Sequence, residues 1–209
     1  MGPARLVIFV KAPRAGEVKT RLAQAIGPEA ACAAYRQLVE LLLKNLATLP
    51  DLELRFTPDD ALAEIQPWLR EGWRARPQGG GDLGERLKRA CAEHLADGCE
   101  RLVIIGSDCP EVTVRDIEAA WAQLHATDIV LGPATDGGYW LIGLRAPQPA
   151  LFDGIHWSTD TVLAETLARA KEANLKVALL RELSDVDTAE DWERFEHPLP
   201  SSEEGREMG

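Results

Sequence analysis

Apolar and polar residues along this 209-residue chain fall into blocks that switch between strand and helix periods. Leu6–Val10 is a short apolar run of the kind a sheet buries, and it leads into a polar loop over 11–18. The spacing predicts helices over 19–26 and 29–47, with Leu38, Leu41, Leu42 and Leu46 on one stripe of the second. Gly27-Pro28 separates the two, since Gly suits a helix end and Pro the first turn of the next. Residues 52–57 alternate as a strand, 60–70 predict a helix and 73–76 a short strand.

The Gly-rich stretch Gly79-Gly80-Gly81-Asp82 reads as a loop, followed by a helix from Leu83 to Ala96. Leu102–Ile105 is almost wholly apolar, the mark of a parallel strand covered on both faces. Thr113 and Asp116 form a capping-box pattern that opens a helix running to His125. Asp128–Leu131 and Tyr139–Leu144 read as strands around Asp136-Gly137-Gly138, a hairpin signal. A helix over 159–173, a strand over 176–180 and a short helix over 188–195 complete the pattern.

Alternation of this kind predicts an α/β fold in three α/β/α layers around a mostly parallel sheet. The shorter elements of the C-terminal third predict an antiparallel edge or a small lobe. Residues 1–196 form one expected domain. The tail 197–209, with two Pro, two Ser and three Glu, is expected to be disordered.

Composition narrows the function classes. No apolar run approaches the ~20 residues that cross a bilayer, and the first strand is too short for a signal peptide. The four cysteines form no C-x-x-C pair, which suits a reduced, cytoplasmic protein rather than a zinc or redox motif. A net charge of -11 argues against a nucleic-acid partner. Yet residues 1–25 hold Arg5, Lys11, Arg14, Lys19 and Arg21 against Glu17 alone. A basic patch on an acidic chain suits a compact polyanion such as a di- or triphosphate.

Ligands of open α/β sheets bind beyond the carboxyl ends of the strands. Four polar segments fall there: 11–21, 107–110, 136–139 and 185–187. The first resembles a phosphate loop in outline, but it matches neither G-x-x-x-x-G-K-[ST] nor G-x-G-x-x-G. Lys11, Arg14, Lys19 and Arg21 are its candidate phosphate-binding cations, and Gly16 gives close backbone approach. Asp108 follows an apolar strand, and Thr113 already serves as the next helix's cap. A carboxylate so placed fits a divalent cation, Mg²⁺ or Mn²⁺, shared with phosphate oxygens and water. Asp187 is either a second metal ligand or a cap for the last helix, with Thr188 the other candidate cap. Gly137 and Tyr139 are candidate ligand contacts from the hairpin turn, and the Gly79–Asp82 loop is a linker or a base-binding loop. The four histidines are scattered and form no ligand set.

Taken together, F-V-K-A-P-R-A-G-E-V-K-T-R-L at 9–22, G-D-L-G-E-R-L at 81–87, I-G-S-D-C-P at 105–110, G-P-A-T-D-G-G-Y-W-L-I-G-L at 132–144 and D-V-D-T-A-E-D-W at 185–192 carry a resemblance. The chain is similar over roughly residues 5–195 to the bacterial glycosyltransferase-A-like family related to 2-phospholactate guanylyltransferase, some members of which are linked to arsenosugar biosynthesis. The resemblance implies a nucleotide-diphospho-sugar transferase (GT-A) type fold. It implies that the 11–21 loop holds phosphates, that Gly80, Asp82 and Leu83 approach the base, and that Asp108 binds the metal. Asp187, or Asp185 beside it, corresponds to the second ligand. Where related glycosyltransferases often carry D-x-D, residues 107–110 hold a single acid.

Three functions follow as expectations. Glycosyl transfer from a nucleotide sugar to a small acceptor ranks first, with Asp108 and Lys19 as catalytic residues that, with Mg²⁺ or Mn²⁺, stabilise the leaving diphosphate. Nucleotidyl transfer from an NTP to a phosphorylated acceptor is the alternative, because several cations suit a triphosphate. A non-catalytic nucleotide-binding module is the third. The base, sugar, acceptor and oligomeric state are not legible.

Overall fold

The computed structural model describes residues 3–197, so the expected tail lies, His197 apart, outside the described residues. Seven strands form one sheet: β1 (Ala4–Lys11), β2 (Leu52–Thr57), β3 (Arg74–Pro77), β4 (Arg101–Ile105), β5 (Ile129–Pro133), β6 (Tyr139–Leu144) and β7 (Val177–Leu179). Their order is β3-β2-β1-β4-β6-β5-β7, and all pair in parallel except β6, which runs antiparallel to both β4 and β5. The antiparallel element expected at the edge is therefore interior, and the edge strand β7 is parallel. The cause is the Asp136-Gly137-Gly138 turn, which folds β6 straight back from β5 into the gap beside β4.

The period-2 pattern of the strands sorts their side chains onto two faces. On one, Leu6, Ile8, Leu54 and Val103 pack against α2 (Pro28–Asn45) and α5 (Val114–Gln123). On the other, Val7, Leu102, Ile104 and Ile142 pack against α4 (Leu83–Ala96) and α6 (Val162–Glu172). Burial of these apolar faces is the main stabilising contribution, at roughly 25 cal/mol per Å² removed from water. A third cluster joins α1 (Thr20–Ile26), α2 and α7 (Ala189–Glu196) through Leu22, Leu38 and Trp192.

The expected helix over 60–70 is short: α3 covers Leu62–Ile65 and a 3₁₀ turn follows over Gln66–Trp68. Pro67 has no N–H to give and restricts the residue before it, so the α-helical pattern stops there. On α2 the buried stripe takes Leu43 with Leu38, Leu42 and Leu46, while Leu41 is only half-buried. Strand β2, whose residues alternate as expected, is buried on both faces. Leu52, Leu54 and Phe56 enter the apolar core, whereas Glu53 and Arg55 are buried on the α4 side. There Glu53 Oε1 accepts from Arg55 Nε at 2.7 Å and lies 2.9 Å from His94 Nε2.

Candidate active site

The loops at the carboxyl edge of the sheet enclose a cleft of about 670 Å³. Lys19 sits at its base. The residue caps α1 with φ 47° and ψ 47°, a left-handed backbone that costs a non-glycine residue roughly 1–2 kcal/mol. That backbone sends its side chain inward, where it is only 3% exposed. Its Nζ donates to Asp108 Oδ1 and to Asp187 Oδ1, the latter at 2.8 Å. Burial opposes the ammonium charge, but the two carboxylates outweigh it and raise the Lys19 pKa to about 12. Residues 89 and 168 positions apart thus meet on one cation.

Neither aspartate is needed to cap a helix. Thr113 and Asp116 form the capping box of α5, and Thr188 with Asp191 forms that of α7. Asp108 and Asp187 are instead held by their backbones, since Val186 N donates to Asp108 O at 3.0 Å. Asp185 is separated from the pair: its Oδ1 accepts from Cys109 Sγ at 2.6 Å. Burial and the charges of Asp108, Asp136 and Asp187 outweigh that hydrogen bond and push the Asp185 pKa up to about 6.

Beneath the loops, Tyr35 of α2 ties two of them together. Lys11 N donates to its hydroxyl at 2.8 Å, and Ser107 Oγ lies 3.1 Å from the same oxygen. Burial first, and the charge of Asp108 second, raise the Tyr35 pKa to about 12, so the hydroxyl stays a neutral strut.

The other expected site residues divide. Lys11 and Arg21 line the cleft, are exposed and make no ion pair among the described residues. Arg14 does not line it. Its guanidinium turns outward to Glu64, with Nη2 to Oε1 at 2.7 Å, and lies 3.5 Å from Asp60. In this arrangement Arg14 is turned away from the cleft where phosphate was expected, its charge paired with Glu64 of α3 and with Asp60 just before that helix. Gly16 and Gly80 have open space around them and lie outside the cleft lining. Asp82 lines the cleft, but its carboxylate is the N-cap of α4, accepting from Glu85 N at 2.9 Å. Leu83 stands 43% exposed on the wall. Gly137 is outside the lining too; it packs against the Asp160 backbone. Tyr139 borders the cleft, but its hydroxyl is buried beside Thr166, where burial pushes its pKa up.

The structure adds residues that sequence reading passed over. Gln78 is buried, and Arg86 lines the cleft from α4. Arg86 stands inside the motif at 81–87, but nothing in that motif separates it from an ordinary surface arginine.

Asp108 and Asp187 fit a divalent cation by their chemistry: both are oxygen donors, both are partly exposed to the cleft, and both already converge on one positive charge. No group of three or more His, Cys, Asp or Glu is arranged as a metal site among the described residues. A cation here would complete its shell with phosphate oxygens and water, as Mg²⁺ commonly does.

Residues 42–159, which carry the loops around Gln78, Asp108 and Tyr139, match the family described as "Uncharacterized protein conserved in bacteria (DUF2064)". The chain belongs to the DUF2064 family. Its fold is that of a nucleotide-diphospho-sugar transferase. A crystal structure from Desulfovibrio desulfuricans G20, of a protein assigned as a nucleotide-diphospho-sugar transferase, superposes with a TM-score of 0.89 at 36% identity, over 99% of this chain and 91% of that one. A phosphoenolpyruvate guanylyltransferase of Sphaerobacter thermophilus is 28% identical over 97% of this chain and 98% of its own. CMP:2-keto-3-deoxy-manno-octonic acid synthetase in complex with CTP shares the fold at a TM-score of 0.57 and 13% identity, over 92% of this chain and 96% of its own. The expected transferase class therefore stands for this DUF2064 chain. No helix among the described residues is long and apolar enough to cross a membrane.

Proposed function

We propose that this DUF2064 protein is a metal-dependent nucleotidyltransferase that transfers the nucleoside monophosphate of an NTP to a small phosphorylated acceptor, releasing pyrophosphate. The observation that carries the reading is the meeting of Lys19, Asp108 and Asp187 at the base of a cleft whose rim holds Lys11 and Arg21, neither with a carboxylate partner among the described residues. A triphosphate brings about four negative charges, which two free cations, a lysine and a divalent ion can offset. The likeness to a phosphoenolpyruvate guanylyltransferase along nearly the whole chain supports nucleotidyl over glycosyl transfer.

In this reading an acceptor phosphate oxygen attacks the α-phosphorus, the bond to the β-phosphate oxygen breaks, and pyrophosphate leaves. Asp108 and Asp187 would hold Mg²⁺ or Mn²⁺, which when bound would supply Lewis-acid neutralisation of phosphate charge. Lys19, which donates to those carboxylates at the base of the cleft, would offer its ammonium to the phosphates. Lys11 and Arg21 hold the leaving pyrophosphate by charge. Tyr35 and Ser107 keep the loops of Lys11 and Asp108 in register.

Glycosyl transfer is the second reading, favoured by the function assigned to the Desulfovibrio relative. One assay separates the two. Each of the four NTPs is incubated with phosphorylated three-carbon acids and Mg²⁺ or Mn²⁺, and pyrophosphate is measured; nucleotide sugars are run in parallel for nucleoside diphosphate release. Pyrophosphate that requires both metal and acceptor, and that falls at least a hundredfold in Asp108→Ala, is the expected result. Release of nucleoside diphosphate from a nucleotide sugar, with no pyrophosphate from any NTP, would replace this proposal with glycosyl transfer.

A further inference from the structure

The charges that line the cleft are sorted by side. Along the carboxyl edge of the sheet, the strand order β3-β2-β1-β4-β6-β5-β7 puts Asp108, just after β4, at the middle. The lining cations Lys11, Lys19, Arg21 and Arg86 all belong to segments that follow β1 or β3, in one half of the sheet. Arg86 is fixed there by Gln78. Its Nη1 donates to Gln78 Oε1 at 3.1 Å, and Gln78 Nε2 donates in turn to Val10 O at 3.0 Å and Arg55 O at 2.9 Å. Beyond Asp108 the lining comes from the β5–β6 turn, β6, the loop before α6 and the segment after β7. From Asp136 to Asp187 it includes no Lys, Arg or His among the described residues.

That second wall accepts hydrogen bonds and is held in place. Asp136 and Asp185 line it, and neither makes an ion pair among the described residues. Asp136 Oδ1 accepts from Gly138 N at 2.8 Å, which fixes the carboxylate and leaves its charge without a cation. The turn is tied to α6, because Leu163 N donates to Gly137 O at 2.9 Å. Glu165 of α6 anchors the neighbouring loop: its Oε2 accepts from His156 N at 2.9 Å and its Oε1 from Thr161 Oγ1 at 2.8 Å. Between those two ties, Trp157 lines the cleft and adds aromatic surface for a carbon skeleton.

A carboxylate accepts hydrogen bonds and cannot donate them. A ligand on this wall must therefore bring O–H or N–H donors. A ligand carboxylate would face Asp136 and Asp185 with no cation on that side, and like charges so placed oppose binding. In the proposed reaction a phosphate oxygen of the acceptor bonds to the α-phosphorus and pyrophosphate leaves. With the nucleotide phosphates on the cations and the reacting phosphates at Asp108, the body of the acceptor falls to the second wall.

Resting on the nucleotidyl-transfer reading, we infer that Asp136 is a specificity-determining residue for the acceptor, and that the preferred acceptor is a phosphate ester whose body presents hydrogen-bond donors and no carboxylate. A polyol phosphate brings such donors as hydroxyls, and an amino-alcohol phosphate brings them as an ammonium. Phosphorylated three-carbon acids react as the slower acceptors.

Two compounds isolate the group concerned: glycerol 3-phosphate and 3-phosphoglycerate differ only in a hydroxymethyl group against a carboxylate. Pyrophosphate release is measured with each, and with phosphoenolpyruvate and phosphoethanolamine, on the full chain with Mg²⁺ and each of the four NTPs in turn. Wild type is expected to show a kcat/KM at least about tenfold higher for glycerol 3-phosphate than for 3-phosphoglycerate, the scale of one unfavourable charge contact. Asp136→Asn keeps Oδ1 for Gly138 N and replaces the other oxygen with a neutral donor. It should raise the value for 3-phosphoglycerate, lower that for glycerol 3-phosphate, and bring the two within about threefold. Given the wild-type gap, phosphoethanolamine above glycerol 3-phosphate would support the inference with ammonium as the donor, and the opposite order would support it with hydroxyl. Equal losses with both compounds in Asp136→Asn would leave Asp136 a turn residue alone and overturn the inference. So would 3-phosphoglycerate or phosphoenolpyruvate matching glycerol 3-phosphate in wild type, a result that needs no variant to fold. No pyrophosphate from any NTP with any of the acceptors would instead sink the nucleotidyl-transfer reading, and this inference with it.

Discussion

Lys19 Nζ donates to Asp187 Oδ1 at 2.8 Å and to Asp108 Oδ1 as well, so one ammonium stands where two carboxylates would hold a divalent ion. Opposite charges at such distances attract by about 1.5–6 kcal/mol at effective dielectrics of 80 to 20. A metal must compete with that attraction. Lys19→Met is therefore expected to bind Mn²⁺ more tightly than wild type in the absence of nucleotide, by about tenfold. Electron paramagnetic resonance of free Mn²⁺ measures this directly. The same variant should melt lower in EDTA, because two neighbouring carboxylates are left without their cation. Turnover should fall about 10²–10³-fold through loss of phosphate stabilisation. An unchanged or weaker Mn²⁺ affinity would show that Lys19 and the metal do not share the carboxylates.

Arg14 and Arg21 lie in one basic loop but in different electrostatic surroundings. Arg14 is compensated by Glu64 and Asp60 outside the cleft, whereas Arg21 lines it with no carboxylate partner among the described residues. Arg14→Ala should leave nucleotide affinity within about twofold and change stability by less than about 1 kcal/mol, as exposed pairs usually do. Arg21→Ala and Lys11→Ala should each weaken nucleotide binding about tenfold, the scale of one charge-assisted hydrogen bond. Calorimetric titration of the three variants decides it. A loss in Arg14→Ala as large as in Arg21→Ala would mean that the arginine leaves Glu64 when ligand binds.

The contrast between Arg14 and Lys19 shows where the sequence was legible. Elements with a strong apolar period and local stop signals, such as α4 over Leu83–Ala96 and β6 over Tyr139–Leu144, were readable to the residue. The meeting of the 11–21 loop with Asp108 and Asp187 was readable too, because strand ends in an α/β sheet must converge. What local pattern cannot carry is the partner of a given charge. Arg14 finds Glu64 fifty residues away, and Lys19 finds two aspartates only because its backbone turns left-handed. The burial of Glu53 and Arg55 was equally hidden, since an alternating strand looks the same whether water or an ionic network covers its polar side. Arg86 had no signal beyond the motif at 81–87 and Gln78 had none, because their importance comes from hydrogen bonds that link three elements.

Gly137 and Gly16 both have φ above 80°, but only one is enclosed. A Cβ at Gly137 would meet the Asp160 carbonyl oxygen at 2.1 Å, while one at Gly16 meets nothing within 4 Å. Gly16→Ala should cost only the left-handed strain, about 1–2 kcal/mol. Gly137→Ala adds a backbone collision and should cost at least about 1 kcal/mol more, with displacement of the 158–160 loop from the cleft. Urea denaturation of the pair tests this. Equal losses would mean that the Asp160 backbone moves aside freely.

Glu53 makes the stability of the fold depend on acid in a predictable direction. Its side chain is fully buried, as is that of His94. Arg5 Nη1 lies 2.8 Å from His94 Nδ1 and can only donate, so Nδ1 accepts and Nε2 carries the hydrogen offered to Glu53. Burial opposes ionisation of Glu53, but the hydrogen bonds from His94 and Arg55 outweigh it and hold the pKa down at about 2, against 4.5 when unfolded. A depressed carboxyl pKa contributes stability that is complete above 4.5 and is lost as the pH falls from 4.5 towards 2. A shift of that size corresponds to about 3 kcal/mol. Glu53→Gln should lower stability near neutral pH by about 3–5 kcal/mol, because it leaves Arg55 buried with less compensation. It should also flatten the dependence of unfolding free energy on pH between 4.5 and 2, measured by urea denaturation at a series of pH values. Parallel pH profiles for Glu53→Gln and wild type would place the acid sensitivity in other carboxylates, and the Glu53 network would then be a packing device with no titration of its own.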